Sequence, residues 1–387
     1  AGAVEATATT GGPITPPIKG AAAVLMVENL ENTQRDGVAA ALFAALVHYF
    51  GIFIMVHLEA RKLGLRGLKP EELPKMGLVL RQHWLSVIPL IILVYMILSG
   101  RTPDFAAVYG IIACVVVGFL NPVNRLTFGD LWQALGDGAR NTLAVGAAAA
   151  TVGVVVGVVT LTGVGFRLGY VVVQTATDIG NTLGGLWPLS YFSVMQWALF
   201  VSLILIAASC IIMGAGIPTT ATYIILVAVA APALAQLQVE PIVAHFFVFY
   251  YGVLADITPP VALAAYAAAG IAGANPFKTG NTAFRLGIAK ALVPFVFVYS
   301  PALLIVTDGF TWSAFTITLA GAMMGIGGLG VAFSGFFLSH MSKAERWWVA
   351  IVSLLFIAPG LKTMALGLVL WLPILILQLR RRSSQAA

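Results

Sequence analysis

The sequence predicts an all-α polytopic membrane protein built from inverted-topology repeats, with discontinuous helices and a re-entrant hairpin. Three observations carry that prediction. Of 387 residues, 60% are hydrophobic and 9% charged, with a mean hydropathy of +0.97. A soluble domain carries about 25% charged residues, so this chain has too few charges for an ordinary water-facing surface. Next, the tetrapeptide ITPP occurs twice, at Ile14-Thr15-Pro16-Pro17 and at Ile257-Thr258-Pro259-Pro260. Each copy interrupts a long apolar stretch and is followed by alanines. Finally, the basic residues fall in the gaps between apolar runs.

The apolar runs justify the spans in order. A helix crossing a bilayer needs about 20 apolar residues, and uninterrupted spans are expected over 38–58, 84–98, 105–120, 144–161, 191–213, 289–306, 315–338, 347–357 and 364–379. Pro359-Gly360 between the last two suggests a tight helical hairpin. Residues 130–140, within FGDLWQALGDGARN, read as an interfacial amphipathic helix. Gly153-xxx-Gly157 and Gly321-xxx-Gly325 read as sites of close helix packing. The tryptophans, including Trp84, Trp187, Trp347, Trp348 and Trp371, fall mostly near span ends, as in an aromatic belt.

Charge then assigns sidedness. The loop 59–81 holds Arg61, Lys62, Arg66, Lys69, Lys75 and Arg81 against Glu59, Glu71 and Glu72, which places it in the cytoplasm. Counting spans from either end puts Arg125, Lys278, Arg285, Lys343, Arg346 and Arg380-Arg381-Arg382 on that same side. Lys362 is the exception. The first ITPP segment leads to an outer loop at 28–36 and the second to an inner loop at 274–285, so the two cross in opposite directions. Inverted repeats of this kind, each with a broken helix, are a recurrent architecture of membrane carriers.

Proline lacks the N–H that a helix needs and clashes with the preceding turn. Backbone groups freed in hydrocarbon persist only where protein, water or an ion satisfies them. Carbonyls and threonine hydroxyls are hard oxygen ligands that suit a small cation, while helix N-termini at the same break favour an anion. A third irregular stretch, CIIMGAGIPTTATYII at 210–225, contains Gly214, Gly216 and Pro218 with three threonines. It reads either as the tip of a re-entrant hairpin or as a turn between two full spans, and the hairpin is the expectation adopted. Asp256 adjoins the second break, where it is a ligand for Na⁺ or a proton, or else a helix cap. Glu5 admits the same two readings. His245 reads as a hydrogen-bonded histidine rather than a proton relay.

Several classes are excluded. No HExxH, GxSxG or similar constellation supports an enzyme. His48 and His57 have no second ligand at metal spacing, and Cys114 and Cys210 read as small hydrophobes. The net charge of +6 follows sidedness and does not indicate nucleic acid.

Two segments, MGAGIPTTATYII and AHFFVFYYGVLADITPPVALAAYAAAGIAGANPFKTG, resemble the large membrane subunit of a tripartite ATP-independent periplasmic (TRAP) transporter. The resemblance is to the fused permeases that work with TAXI-type receptors. GAVEATATTGGPITPPIKGAAAVLM and HLEARKLGLRGL resemble the first repeat and its following loop. The resemblance extends from residue 1 to about 304, and the remainder is similar to the variable tail of fused permeases. It implies Na⁺-coupled import of an organic anion, H⁺ being the alternative ion, across a bacterial inner membrane by an elevator-like motion. A periplasmic solute-binding protein would deliver the substrate, and the alternative is a carrier that needs no receptor. No cofactor other than the coupling ion is expected.

Carried onto this chain, the resemblance implies one ion site at Thr10, Gly11, Gly12 and Thr15. It implies a second at Gly214, Gly216, Thr219, Thr220 and Thr258, joined by Asp256, with substrate contacts at Pro17, Lys19, Pro218 and Pro260. The implied organisation is a first transport region at 1–35, scaffold at 36–140, a second transport region at 141–285 and further scaffold at 286–387. Related permeases carry a Ser/Gly-rich hairpin upstream of GAVEA, so an additional N-terminal part or small membrane subunit is expected as partner, beside membrane lipid. Pro13 and Lys19 depart from the family pattern. An ammonium ~6 Å from a bound cation would cost roughly 3 kcal/mol at an effective dielectric of ~20, so Lys19 either points away or tracks an anionic substrate.

Overall fold

A computed structural model describes residues 1–16, 21–30, 34–65, 67, 69, 71, 73, 75–122, 125–186, 193–214, 219–358 and 360–386. Among the described residues the regular structure is helical. The first interrupted helix comprises α1 (Gly2–Thr9) and α2 (Ala21–Asn29), followed by the long α3 (Gln34–Lys62). Next come α4 (Met76–His83), α5 (Ile88–Leu98), α6 (Pro103–Leu120), α7 (Phe128–Thr162) and α8 (Val164–Gly184). Then follow α9 (Val194–Gly214), α10 (Thr219–Gln236), α11 (Pro241–Ala255) and α12 (Leu263–Ile271). The chain closes with α13 (Pro276–Gly287), α14 (Val293–Tyr299), α15 (Trp312–Ser334), α16 (Lys343–Ile357) and α17 (Leu361–Ala386).

Five described helices, in α3, α9, α10, α15 and α17, are long and apolar enough to cross a membrane. With the all-helical architecture they make this a polytopic membrane protein. The core is centred on α11, whose residues from Ile242 to Ala255 are buried on every face except at His245. A helix apolar all round belongs inside a bundle. Around it lie α9, α10, α14 and the end of α2.

Contacts bring several of the basic groups expected on one side to the same end of the bundle. Arg285 pairs with Glu59 at 2.6 Å, Lys62 donates to the Ser334 carbonyl at 2.8 Å, and Arg381 pairs with Glu345 at 2.6 Å. The basic groups at the ends of α3, α13 and α17 therefore gather at one end of the bundle with the loop between α15 and α16. Local signals set the ends of that loop. Gly335 closes α15 in the left-handed region, and Ser342 with Glu345 forms a reciprocal capping box that opens α16.

Four expectations need correction. The apolar run 289–306 is not one helix. It divides into a 3-10 turn at Ala289–Leu292, α14, and a second 3-10 turn at Pro301–Leu304. Pro294 and Pro301 remove donors there. Residues 130–140 do not form a separate interfacial helix, because α7 runs through them into the apolar run as one 35-residue helix. Helix α8 was not anticipated, since Arg167, Gln174, Asp178 and Asn181 dilute its apolar face. It packs on α9 and α10. Finally, Gly321 and Gly325 pack tightly against α16, whereas a Cβ at Gly153 or Gly157 would meet nothing within 4 Å.

Candidate functional site at the two helix breaks

The two ITPP segments interrupt helices that lie antiparallel. At one end, Gly2 of α1 approaches the Ala268 carbonyl of α12, with an ideal Cβ 3.0 Å away, and at the other α2 packs on α11. The breaks meet at Gly287, the last residue of α13. A Cβ there would lie 2.7 Å from Ile257 Cδ1, 3.2 Å from Lys290 Cε and 3.6 Å from Thr7 Cγ2. Thr7 also reaches α13 directly, its hydroxyl donating to the Ala283 carbonyl at 3.0 Å.

At the first break, α1 tightens and ends. The Gly11 N–H donates to the Ala8 carbonyl, not to that of Thr7, so the Thr7 carbonyl loses its helical partner. It accepts instead from the Thr10 hydroxyl at 2.8 Å and from the Lys290 ammonium at 3.0 Å. Lys290 donates further to Thr10 Oγ1 and lies 3.3 Å from His48 Nε2. Thr7, Thr10, His48 and Lys290 are each at most 4% exposed. An ammonium has three donors, and these three acceptors use them all. The accepting role of Nε2 leaves the proton on Nδ1, which has no partner among the described residues. A small cavity lies beside the cluster, lined by His48, Tyr250, Tyr251 and Lys290 among others.

The other expected residues of this break point elsewhere. Thr15 donates to the Gly11 carbonyl at 2.6 Å and to Tyr49 Oη at 3.2 Å. Gly11 leaves no room for a side chain, because a Cβ would fall 2.5 Å from the Tyr49 ring. Gly12 is exposed and faces open space. The structure thus brings Thr10 to a buried polar centre and places Gly11 and Thr15 around Tyr49. Pro17 and Lys19 lie outside the described residues.

The second break carries the opposite charge. Asp256 caps α11 through its backbone N–H, and its carbonyl accepts from Ala264 at 3.1 Å. Its side chain is half-buried, and no described residue donates to the carboxylate. Thr258 donates to the Leu254 carbonyl at 2.8 Å, and Ala262 enters α12 from the left-handed region at φ 37°. The Pro260 carbonyl accepts from Tyr266 Oη at 2.6 Å. Gly214, at the end of α9, abuts Ala255 and Thr222, with a Cβ 2.9 Å from Ala255 Cβ, which brings that helix end beside Asp256. Thr219 and Thr220 open α10 and are half-buried. Gly216 and Pro218 lie outside the described residues. Both α9 and α10 are long enough to be separate spans.

Of the remaining candidates, Glu5 is exposed and accepts from the Thr9 hydroxyl at 2.7 Å. His245 is hydrogen-bonded to Tyr223 at 2.7 Å, as expected of a structural histidine. His57 is exposed and stacked on Phe53. Sequence reasoning missed Thr7, Lys290 and the role of His48. The available signal was a lone lysine inside an apolar run, RLGIAKALVPFV, since an ionisable residue within a span is a functional candidate.

Searches of curated proteins and of solved structures returned no match. A family model does match residues 1–312, with the description "Tripartite ATP-independent periplasmic transporter, DctM component". That match spans both interrupted helices and every candidate residue at the two breaks, and on it the chain belongs to the TRAP transporter permease family, DctM component.

Proposed function

We propose that the protein is the permease of a secondary active TRAP system that imports an organic anion of carboxylate type, coupled to a Na⁺ gradient. Membership of the permease family supports membrane transport, and such permeases generally work with a periplasmic solute-binding protein. The observation that carries the reading further is the pair of antiparallel broken helices that meet at Gly287. In this reading a cation is held at the second break by the Asp256 carboxylate, Thr258 and freed carbonyls, with Gly214, Thr219 and Thr220 supplied from the ends of α9 and α10. The substrate carboxylate is held beside it, near Pro260, where helix N-termini favour negative charge. The receptor is of TAXI type, and the unit holding the breaks moves across the bacterial inner membrane against the remaining spans.

The test is uptake of radiolabelled organic anions, delivered by the receptor, into proteoliposomes holding the full-length protein. An inward Na⁺ gradient is expected to drive accumulation. Accumulation that ignores Na⁺ but follows a proton gradient would replace the coupling ion. Absence of receptor-dependent uptake under either gradient would overturn the transport reading.

A further inference from the structure

The two breaks share a tetrapeptide but not an electrostatic design. At the second, a half-buried carboxylate has no described donor. At the first, the Thr7 carbonyl and the Thr10 hydroxyl, oxygen ligands of the kind a small cation takes, are already occupied by the Lys290 ammonium. We propose that Lys290 is a tethered cation that fills the cation position of the first break, so that only the second break binds an exchangeable ion. This deepens the transport reading and rests on it for the identity of that ion.

Geometry supports the substitution. One of the acceptors is created by the interruption, since the Thr7 carbonyl is released when Gly11 bonds to Ala8 instead. Lys290 arrives from the 3-10 turn that follows α13 and sits 283 residues further along the chain than Thr7. Its three donors are directed to Thr7, Thr10 and His48, which leaves none for a substrate carboxylate. The remaining groups around it are neutral: Gly51 of α3 nearby, Tyr250 and Tyr251 of α11 beside the same cavity, and Ile257 at Gly287. No described carboxylate faces the ammonium. A built-in positive charge would also repel a mobile cation from the same oxygens, roughly as 1/r and without the screening of bulk water.

The experiment is equilibrium binding of ²²Na⁺ to the purified full-length protein in detergent, which reads ion sites whether or not transport occurs. The wild type is expected to bind one Na⁺ per chain. Lys290→Ala and Lys290→Ser vacate the position and are expected to bind one more, whereas Lys290→Met, which keeps the stem but not the charge, is expected to bind no more than the wild type. Ethylammonium should compete for the additional site only. In proteoliposomes, the Hill coefficient for Na⁺ should rise from about 1 in the wild type to about 2 in Lys290→Ala. A purely structural lysine would leave these stoichiometries unchanged. Two Na⁺ per wild-type chain would overturn the proposal without any variant, and so would folded Lys290→Ala or Lys290→Ser protein that gains no site. Failure of the wild type to take up substrate while these stoichiometries hold would count against the transport reading alone.

Discussion

Replacing Gly321 by alanine tests the packing that sets α15 against α16. The added Cβ would fall 2.4 Å from the Phe356 carbonyl oxygen, about 1 Å inside ordinary contact, which begins near 3.4 Å. Neither atom can rotate away, because one is backbone and the other is fixed to it. The helices must therefore separate locally, and a radial gap of roughly 0.5–1 Å forfeits a quarter to a half of each lost contact. Overpacking of this kind costs about 1–3 kcal/mol. Gly325→Ala meets the same helix, with a Cβ 2.5 Å from Ile357 Cγ1 and 2.9 Å from the Ser353 carbonyl. The double variant should lose less than the sum of the two, since one separation relieves both clashes. Gly157→Ala is the control, because it meets nothing within 4 Å and adds about 0.5–1 kcal/mol of helix propensity. Thermal unfolding in detergent, followed by tryptophan fluorescence, reads all four. Gly321→Ala melting at or above the wild type would refute the argument, as would a Gly157→Ala variant destabilised to the same extent.

Glu345→Ala removes the cap on Ser342 together with the ion pair to Arg381, and should lower stability by about 2 kcal/mol. Glu345→Gln, which keeps an acceptor for the cap, should lose less in the same melt. A double-mutant cycle on Glu59 and Arg285 should give a coupling of at most about 1 kcal/mol that shrinks in high salt. Asp130, ahead of the apolar part of α7, is held below the usual carboxylate range by the Thr127 hydroxyl and N–H. A depressed value means its capping contribution is complete above about pH 4 and is lost as pH falls through the folded value. Asp130→Asn should therefore speed hydrogen exchange at the start of α7 at neutral pH, with the difference from wild type fading in acid. Thr258→Val should raise the Na⁺ concentration needed for half-maximal uptake, and an unchanged value would remove Thr258 from the proposed site.

What the sequence made legible was local or global, and what it concealed lay between. A Thr-Pro-Pro run interrupts a helix wherever it stands, because the missing N–H and the ring clash belong to the residues themselves. The grouping of basic helix ends follows from charge summed over whole loops, and the contacts of Arg285 with Glu59 and of Lys62 with Ser334 bring those ends together. Two GxxxG patterns looked alike as letters, yet Gly321 meets the Phe356 backbone while Gly157 meets nothing. Which face a helix turns to a neighbour is not written in its spacing.

Lys290 is the sharper case. It stands at the start of the expected apolar span 289–306, shortly after Arg285, with no nearby letter that names a partner. Its partners Thr7, Thr10 and His48 lie more than 240 residues earlier, and only folding brings them to it. The motif ITPP specifies an interruption but not which groups beside it will find partners. Ahead of the first copy, the carbonyl released where α1 tightens at Gly11 is met by an ammonium from the turn after α13. In the other, a neighbouring carboxylate stands without a described donor. Identical letters thus stand beside a filled position and an open one, and the difference resides in tertiary contacts that each break receives from outside itself.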